Sequence, residues 1–241
     1  MTLKLLAFDT ATEHLSIAVA AHGAVRVHES AGGARASTDL IPAILALLDR
    51  AGVGLRELDA IAFGRGPGAF TGLRTACAVA QGLAYGAAKP VLPIDTLLAV
   101  AEDARGGTGG ACSVWAVQDA RMDEVYAAHC VHDGHTWRLV VAPMLLRPEA
   151  LNDRWAVEPP VCVAGTALGV FGARLQTGAA QLVPGALPRA AAMLPLARAL
   201  WAAGGAVDPA LALPLYLRDK VAQTSAERAA TQAAASIRAA Q

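Results

Sequence analysis

Three short apolar runs, at residues 4–8, 15–20 and 25–30, lie close together near the start of the chain. The last two are separated by little more than His22-Gly23. They read as a buried strand followed by a hairpin. Behind Ser37, Thr38 and Asp39, the residues Leu40, Ile41, Ile44, Leu45, Leu47 and Leu48 recur at helical spacing up to Gly52. That spacing predicts a helix starting at Thr38 or Asp39, which keeps Pro42 within the first turn. A strand at 58–63 then enters a glycine-rich loop at 64–68. A helix over 71–85, a strand at 91–94 and a helix to residue 104 follow.

Residues 105–110 (Arg-Gly-Gly-Thr-Gly-Gly) form the clearest break in the pattern and mark a domain boundary. Beyond it the spacing predicts strands at 113–118 and 125–131, and a third segment at 136–141. A helix at 148–155, a strand at 161–164 and helices at 168–175 and 189–203 complete the series. Both halves open with strands in hairpin order and continue with alternating helix and strand. The expectation is an α/β fold of two related lobes. We divide the chain into an N-terminal lobe (1–105), a C-terminal lobe (106–222) and a weakly patterned, alanine-rich tail (223–241).

Composition narrows the function class. The 241 residues carry 20 Lys and Arg against 20 Asp and Glu, 55% hydrophobic residues and only 17% charged ones. Such a chain can bury a large core, and general disorder is excluded. No net positive field is available to hold nucleic acid. Each lobe is close to neutral, and only 218–241 tilts positive. Long uncharged runs such as 75–88 and 175–188 fall short of the ~20 apolar residues that a membrane span needs. Asp9 and Glu13 interrupt the only N-terminal run that could serve as a signal peptide. Cys77, Cys112, Cys130 and Cys162 are scattered, as expected for reduced, core-filling thiols in a cytoplasmic protein.

Two segments could carry phosphate chemistry. At 64–72, Gly64, Gly66 and Gly68 lead into Thr71 and Gly72 at a helix N-terminus, where free N–H groups and the helix dipole favour anions. The spacing matches neither a Walker A loop nor a dinucleotide fingerprint. The plainer reading is a tight strand-to-helix turn that needs glycine for its backbone. Asp9, Thr10 and Thr12, at the end of the first strand, could hold hydrated Mg²⁺ and phosphates, or could simply cap the strand. His129, His132 and His135 recur every third residue, but along a strand and turn they need not converge. Asp119, Asp123 and Glu124 cluster at a hairpin, where solvated carboxylates are ordinary. No nucleophile elbow is present.

The two N-terminal helices carry apolar surface in excess of one narrow stripe. In the second, Gly72, Ala76, Ala80 and Ala84 form a small-residue row, with Leu73 and Cys77 on other faces. This surface serves either packing within the lobe or a protein interface.

Several blocks, in this order, resemble the TsaB (YeaZ) family: Leu6-Ala7-Phe8-Asp9-Thr10-Ala11-Thr12, the Gly64–Arg74 block, Ala80-Gln81-Gly82-Leu83-Ala84, the 119–126 block and Pro214-Leu215-Tyr216-Leu217-Arg218. The likeness spans nearly the whole chain before the tail. It implies a two-lobed fold of the actin, hexokinase and Hsp70 kind, each lobe a mixed sheet with flanking helices. It also implies a role in making N6-threonylcarbamoyladenosine at position 37 of tRNAs that read codons starting with A. In that pathway the family is the noncatalytic scaffold that binds and activates the related TsaD subunit, and the TsaE ATPase joins the assembly. The resemblance places the TsaD contact on the two N-terminal helices. We accordingly take Leu40, Ile41, Ile44, Leu47, Gly72, Leu73, Ala76, Cys77 and Ala80 as interface candidates. Homodimers through the same helices are expected when TsaD is absent.

The His-x-x-x-His metal pair of TsaD has no counterpart, because 34–40 (Ala-Arg-Ala-Ser-Thr-Asp-Leu) contains no histidine. No metal, no catalysis by this chain alone and no tightly bound cofactor are expected, although ATP or ADP could lie at the partner interface. Contact with tRNA would fall mainly to the partners. The alternative is a small-molecule kinase of the same fold, with Asp9 and Gly64, Gly66 and Gly68 around Mg-ATP. A peptidase lacks any recognisable nucleophile and base.

Overall fold

The computed structural model of the chain describes residues 3–107 and 109–218. The expected tail, 223–241, lies outside the described residues. Strands β1 (Leu5–Asp9), β2 (His14–Ala21) and β3 (Ala24–Ala31) form an antiparallel meander. Helix α1 (Ala36–Arg50), strand β4 (Ala60–Gly66), helix α2 (Phe70–Ala87), strand β5 (Val91–Asp95) and helix α3 (Thr96–Arg105) follow. The path then repeats: β6 (Ala111–Asp119), β7 (Val125–Asp133), β8 (Trp137–Leu146), α4 (Pro148–Val157), β9 (Cys162–Ala164), α5 (Ala167–Phe171), β10 (Gln181–Val183) and α6 (Ala190–Ala202). The sheet orders are β3-β2-β1-β4-β5 and β10-β9-β6-β7-β8, one topology written in opposite directions. Three antiparallel strands and two parallel additions make each sheet mixed. The duplication inferred from element order is thus present strand by strand.

Local chemistry sets the boundaries. His22 and Gly23 both take positive φ, 53° and 78°, which is what a two-residue hairpin of primed type demands. Helix α3 ends at Arg105 with Gly106 left-handed at its C-cap. The first helix departs from expectation. A 3₁₀ turn at Gly33–Arg35 feeds α1 from Ala36, so Pro42 lies beyond the first turn, with its ring on the exposed side. Strand β10 had no sequence signal, because only three residues with exposed or half-exposed side chains pair with β9. Helix α5 ends at Phe171 and gives way to a 3₁₀ turn, Gly172–Arg174, short of the predicted residue 175.

Both faces of the first sheet are covered. Leu6, Phe8, Leu15, Ile17 and Phe63 pack beneath α1 and α2, with Leu40, Ile44, Leu47 and Ala80. Leu5, Ala7, Ala18, Ala20, Ala60 and Ala62 face the other way and meet Met193, Leu194 and Ala197 of α6. The lobes therefore trade helices. Helix α6, from the second half of the chain, closes the first sheet, and the Ala190 N–H donates to Ser16 Oγ at 2.8 Å. Helix α3, from the first half, buries Leu97, Val100 and Ala101 against Val114, Ala116 and Ala128 of the second sheet. An alanine-lined sheet face lets α6 approach closely.

Among the described residues, no helix is long and apolar enough to cross a membrane. All four cysteines are free. Because Ala62 is fully buried under α6, Ala62→Leu should overpack that layer and cost about 1–3 kcal/mol. Urea unfolding of the variant beside the wild type measures it.

Candidate functional site

The end of β1 and the glycine-rich loop are packed directly against each other. Asp9 is fully buried. Its Oδ1 accepts from the Ala11 N–H at 2.7 Å and its Oδ2 from the Thr96 hydroxyl at 2.9 Å. Thr96 Oγ1 in turn accepts from the Gly66 N–H at 3.1 Å. The Thr10 hydroxyl donates to the Gly72 carbonyl at 2.8 Å, and the Ala69 N–H donates to the Ala11 carbonyl at 2.8 Å.

These contacts explain the glycines. A Cβ at Gly64 would fall 1.7 Å from Asp9 Oδ2, one at Gly68 2.5 Å from the Ala11 carbonyl, and one at Gly72 1.9 Å from the Thr10 carbonyl. The plainer reading of the loop holds at these positions: glycine is needed for close approach of backbone and carboxylate within the protein. Of the candidate phosphate ligands, Asp9 and Thr10 are buried in this network. Thr12 and Gly68 line the cleft described next, and Thr71 is exposed on the first turn of α2.

That cleft, of about 500 Å³, lies between the lobes. Ala11, Thr12 and Gly68 line it from the first lobe, and Gln118, Asp119 and Met122 from the second. Residues 215–218 cross it as a strap. The Leu215 N–H donates to the Arg65 carbonyl at 2.7 Å. Tyr216 packs on Phe70, with the ring centroids 5.4 Å apart, and its hydroxyl accepts from Arg74 Nε at 3.2 Å. At the far side, Arg218 donates to the Ala120 carbonyl at 2.9 Å and pairs with Glu124 at 2.7 Å. Arg121, Met122 and Asp123 beneath it are all left-handed, with φ of 59°, 55° and 60°. Such a run of non-glycine residues needs outside support. Arg174 supplies part of it through paired hydrogen bonds to the Asp123 carboxylate.

The family described as "TsaD: tRNA N6-adenosine threonylcarbamoyltransferase" matches residues 24–226. The tRNA threonylcarbamoyladenosine biosynthesis protein TsaB of Escherichia coli K12 is 35% identical over 229 residues, covering 91% of this chain and 96% of that protein. Its Haemophilus influenzae counterpart is 35% identical over 230 residues, covering 91% and 95%. The solved structure of YeaZ from Pseudomonas aeruginosa superposes with a TM-score of 0.81 at 40% identity, covering 90% of this chain and all of that one. The chain belongs to the TsaB (YeaZ) family.

Within this TsaB-family chain, the residues expected at a partner interface divide unevenly. Leu40, Ile44, Leu47, Gly72, Leu73, Ala76, Cys77 and Ala80 are all buried in the lobe, and only Ile41 is exposed. The row Gly72, Ala76, Ala80 and Ala84 seats α2 on its own sheet instead. The outward row on α2 is Ala78, Gly82 and Tyr85, with Gly86 beside it, and on α1 it is Ile41 and Leu45. Periodicity located both helices but not which side of each faces outward, because α2 is small and apolar on both sides.

His129 and His132 point to opposite faces of β7. His129 shares a 2.8 Å hydrogen bond with Ser113, and His132 bonds to Gly110. Among the described residues, no group of three His, Cys, Asp or Glu could hold a metal ion. Sequence reasoning missed Thr96, Ser16 and Gln118. No motif marks any of them.

Burial pushes the Asp9 carboxyl up to about 6, against the opposing hydrogen bonds from Ala11 and Thr96. The protonated form therefore favours the fold, and stability should rise as pH falls from about 6 towards 4, by on the order of 3 kcal/mol. Asp9→Asn should abolish that rise, which the difference in melting temperature between variant and wild type across pH 4–7 will show. Gly72→Ala should destabilise by at least about 3 kcal/mol or prevent folding, since backbone on both sides blocks relief of the clash. Chemical denaturation of the purified variant checks it.

Proposed function

We propose that this chain acts in threonylcarbamoyladenosine biosynthesis as a noncatalytic subunit, docking a TsaD-type partner through the outer face of α1 and α2. Family membership supports the pathway, since the bacterial relatives are named for it. The observation that carries the docking reading is the outer helix face. Ile41, Leu45 and Tyr85 are 42%, 51% and 85% exposed. Ala78, Gly82 and Gly86 lie on the outer side of α2 near Tyr85, and a Cβ added at either glycine would meet nothing within 4 Å.

Large apolar side chains beside a smooth, small-residue surface suit a partner helix that comes close and buries the aromatic ring. The same face would pair two copies of this chain in the absence of the partner. Asp9 and the glycine loop are committed to internal contacts, so the reading gives the chain no catalytic group of its own. On this reading the chain holds no cofactor tightly, any ATP or ADP would sit at the partner interface, and the partners make most of the contact with tRNA in the larger assembly with TsaE.

Leu45→Glu should weaken the complex with the cognate TsaD at least tenfold, because it sets a charge in the centre of an apolar contact. It should leave the melting temperature of the isolated chain nearly unchanged, as surface substitutions do. Calorimetric titration of TsaD with wild type and variant tests this. Failure of the wild type to bind, or equal binding by the variant, would sink the reading.

A further inference from the structure

The strap that crosses the cleft is held mainly at its two ends. Residues 212–218 belong to no helix or strand, and none of 213–218 is buried. Ala212 is buried beside α2 and anchors the segment. Its carbonyl accepts from Gln81 Nε2 at 3.0 Å and from the Cys77 thiol at 3.3 Å. Beyond it, Leu213 is 69% exposed, and the near end rests on the Leu215–Arg65 backbone bond and the packing of Tyr216 on Phe70. A segment with few buried contacts opens far more easily than a core strand or helix.

At the far end, Arg218 meets the turn between β6 and β7 three times. It donates to the Ala120 carbonyl at 2.9 Å and the Arg121 carbonyl at 3.4 Å, and it pairs with the Glu124 carboxylate at 2.7 Å. Those groups bracket Arg121, Met122 and Asp123, the three consecutive left-handed residues. Each non-glycine residue resists that conformation, so contacts from outside must hold it. Arg174 holds the Asp123 side chain, whereas Arg218 holds the backbone carbonyls themselves. A relaxed turn would in turn scatter the acceptors that Arg218 needs. Strap and turn therefore stabilise each other.

We propose that residues 213–218 form a lid over the cleft, hinged at Ala212 and latched by Arg218, and that lid and turn open together while both sheets stay folded. Leu215, Tyr216, Leu217 and Arg218 line the cleft, and Leu217 packs on the cluster that contains Tyr126. Opening uncovers that wall of the cavity of about 500 Å³, so the latch governs entry to it. The lid does not rest on the docking reading, and its test needs no partner.

Amide hydrogen exchange, read by NMR on the full chain in about 0–1 M urea, tests the proposal. The Leu215 N–H reports the strap, and the Glu124 N–H, which donates to the Arg121 carbonyl, reports the turn. The Ala190 N–H, bonded to buried Ser16, reports the core beneath α6. In the wild type, Leu215 and Glu124 should exchange with one shared urea dependence, weaker than that of Ala190. Arg218→Met should speed both at least about tenfold, the size expected for loss of a charged hydrogen bond, and leave Ala190 unchanged. Tyr216→Ala should speed Glu124 as well, although the Tyr216 ring meets Phe70 and Arg74 at the other end of the strap. Hydroxyl-radical labelling of Tyr126, 7% exposed beneath the closed lid, should rise in both variants. Different urea dependences for Leu215 and Glu124, one shared with Ala190, or a response confined to the substituted end would overturn the proposal. So would unchanged labelling of Tyr126, which would mean that the cleft stays covered.

Discussion

The structure depends on one close approach, where the end of β1 meets the start of α2. The Thr10 and Ala11 carbonyls lie so near Gly72 and Gly68 that no side chain fits between them. Asp9, one residue earlier, spans the gap to Thr96 at the start of α3, and Thr96 holds the Gly66 N–H. One carboxylate, one hydroxyl and three glycines thus fix the central strand, the loop after β4 and the helix that runs into the second lobe. Burying a carboxylate is costly, and the hydrogen bonds from Ala11 and Thr96 offset only part of that cost. The chain thus commits its first-strand aspartate to the internal network that holds the lobes' central elements together.

The exchange of helices follows from the same geometry. Helix α3 begins at Thr96, tethered to Asp9, and then leaves the first sheet to close the second. Helix α6 returns to close the first, its N-terminal amide held by Ser16. Neither lobe has a complete core without the other's last helix. The strap at 215–218 adds a further tie, from the Arg65 carbonyl across to Glu124. The lobes are therefore coupled by packing as well as by the chain, and residues around 105 mark a joint in the sequence rather than a free hinge.

Much of this was legible from spacing. The hairpin at His22-Gly23, helices α1, α2 and α6, and the two-lobed order all follow from apolar periodicity and turn chemistry, because those signals are local. Three things were not local. The direction a helix faces is undetermined when it is small and apolar all round, so the row at Gly72, Ala76, Ala80 and Ala84 could be assigned to a partner when it seats α2 on its own sheet. The role of a lone hydroxyl such as Thr96 depends on a carboxylate far away in sequence. The apolar excess was partly assigned to exposed surface, whereas sheets covered on both faces absorb much of it.

The duplication also explains why only one lobe carries the long exposed helix face on which the docking proposal rests. Helices α4 and α5 occupy in the second lobe the places of α1 and α2 in the first. Yet α5 runs only from Ala167 to Phe171, where α2 runs from Phe70 to Ala87. The exposed large apolar residues of the second lobe, among them Met122, Val140, Val157, Val161, Val170 and Leu182, are scattered over a turn, two strands, a helix end, a loop and that short helix. In the first lobe, Ile41 and Leu45 stand one turn apart on a long helix, and Ala78, Gly82 and Tyr85 extend along its neighbour. A continuous ridge and groove of that kind can be buried as one surface, whereas side chains scattered over separate elements cannot. With equal numbers of acidic and basic residues, the chain has no long-range field to draw a partner in. On the docking proposal, recognition rests on the shape of α1 and α2, which makes the small residues of α2 as important as the large ones beside them.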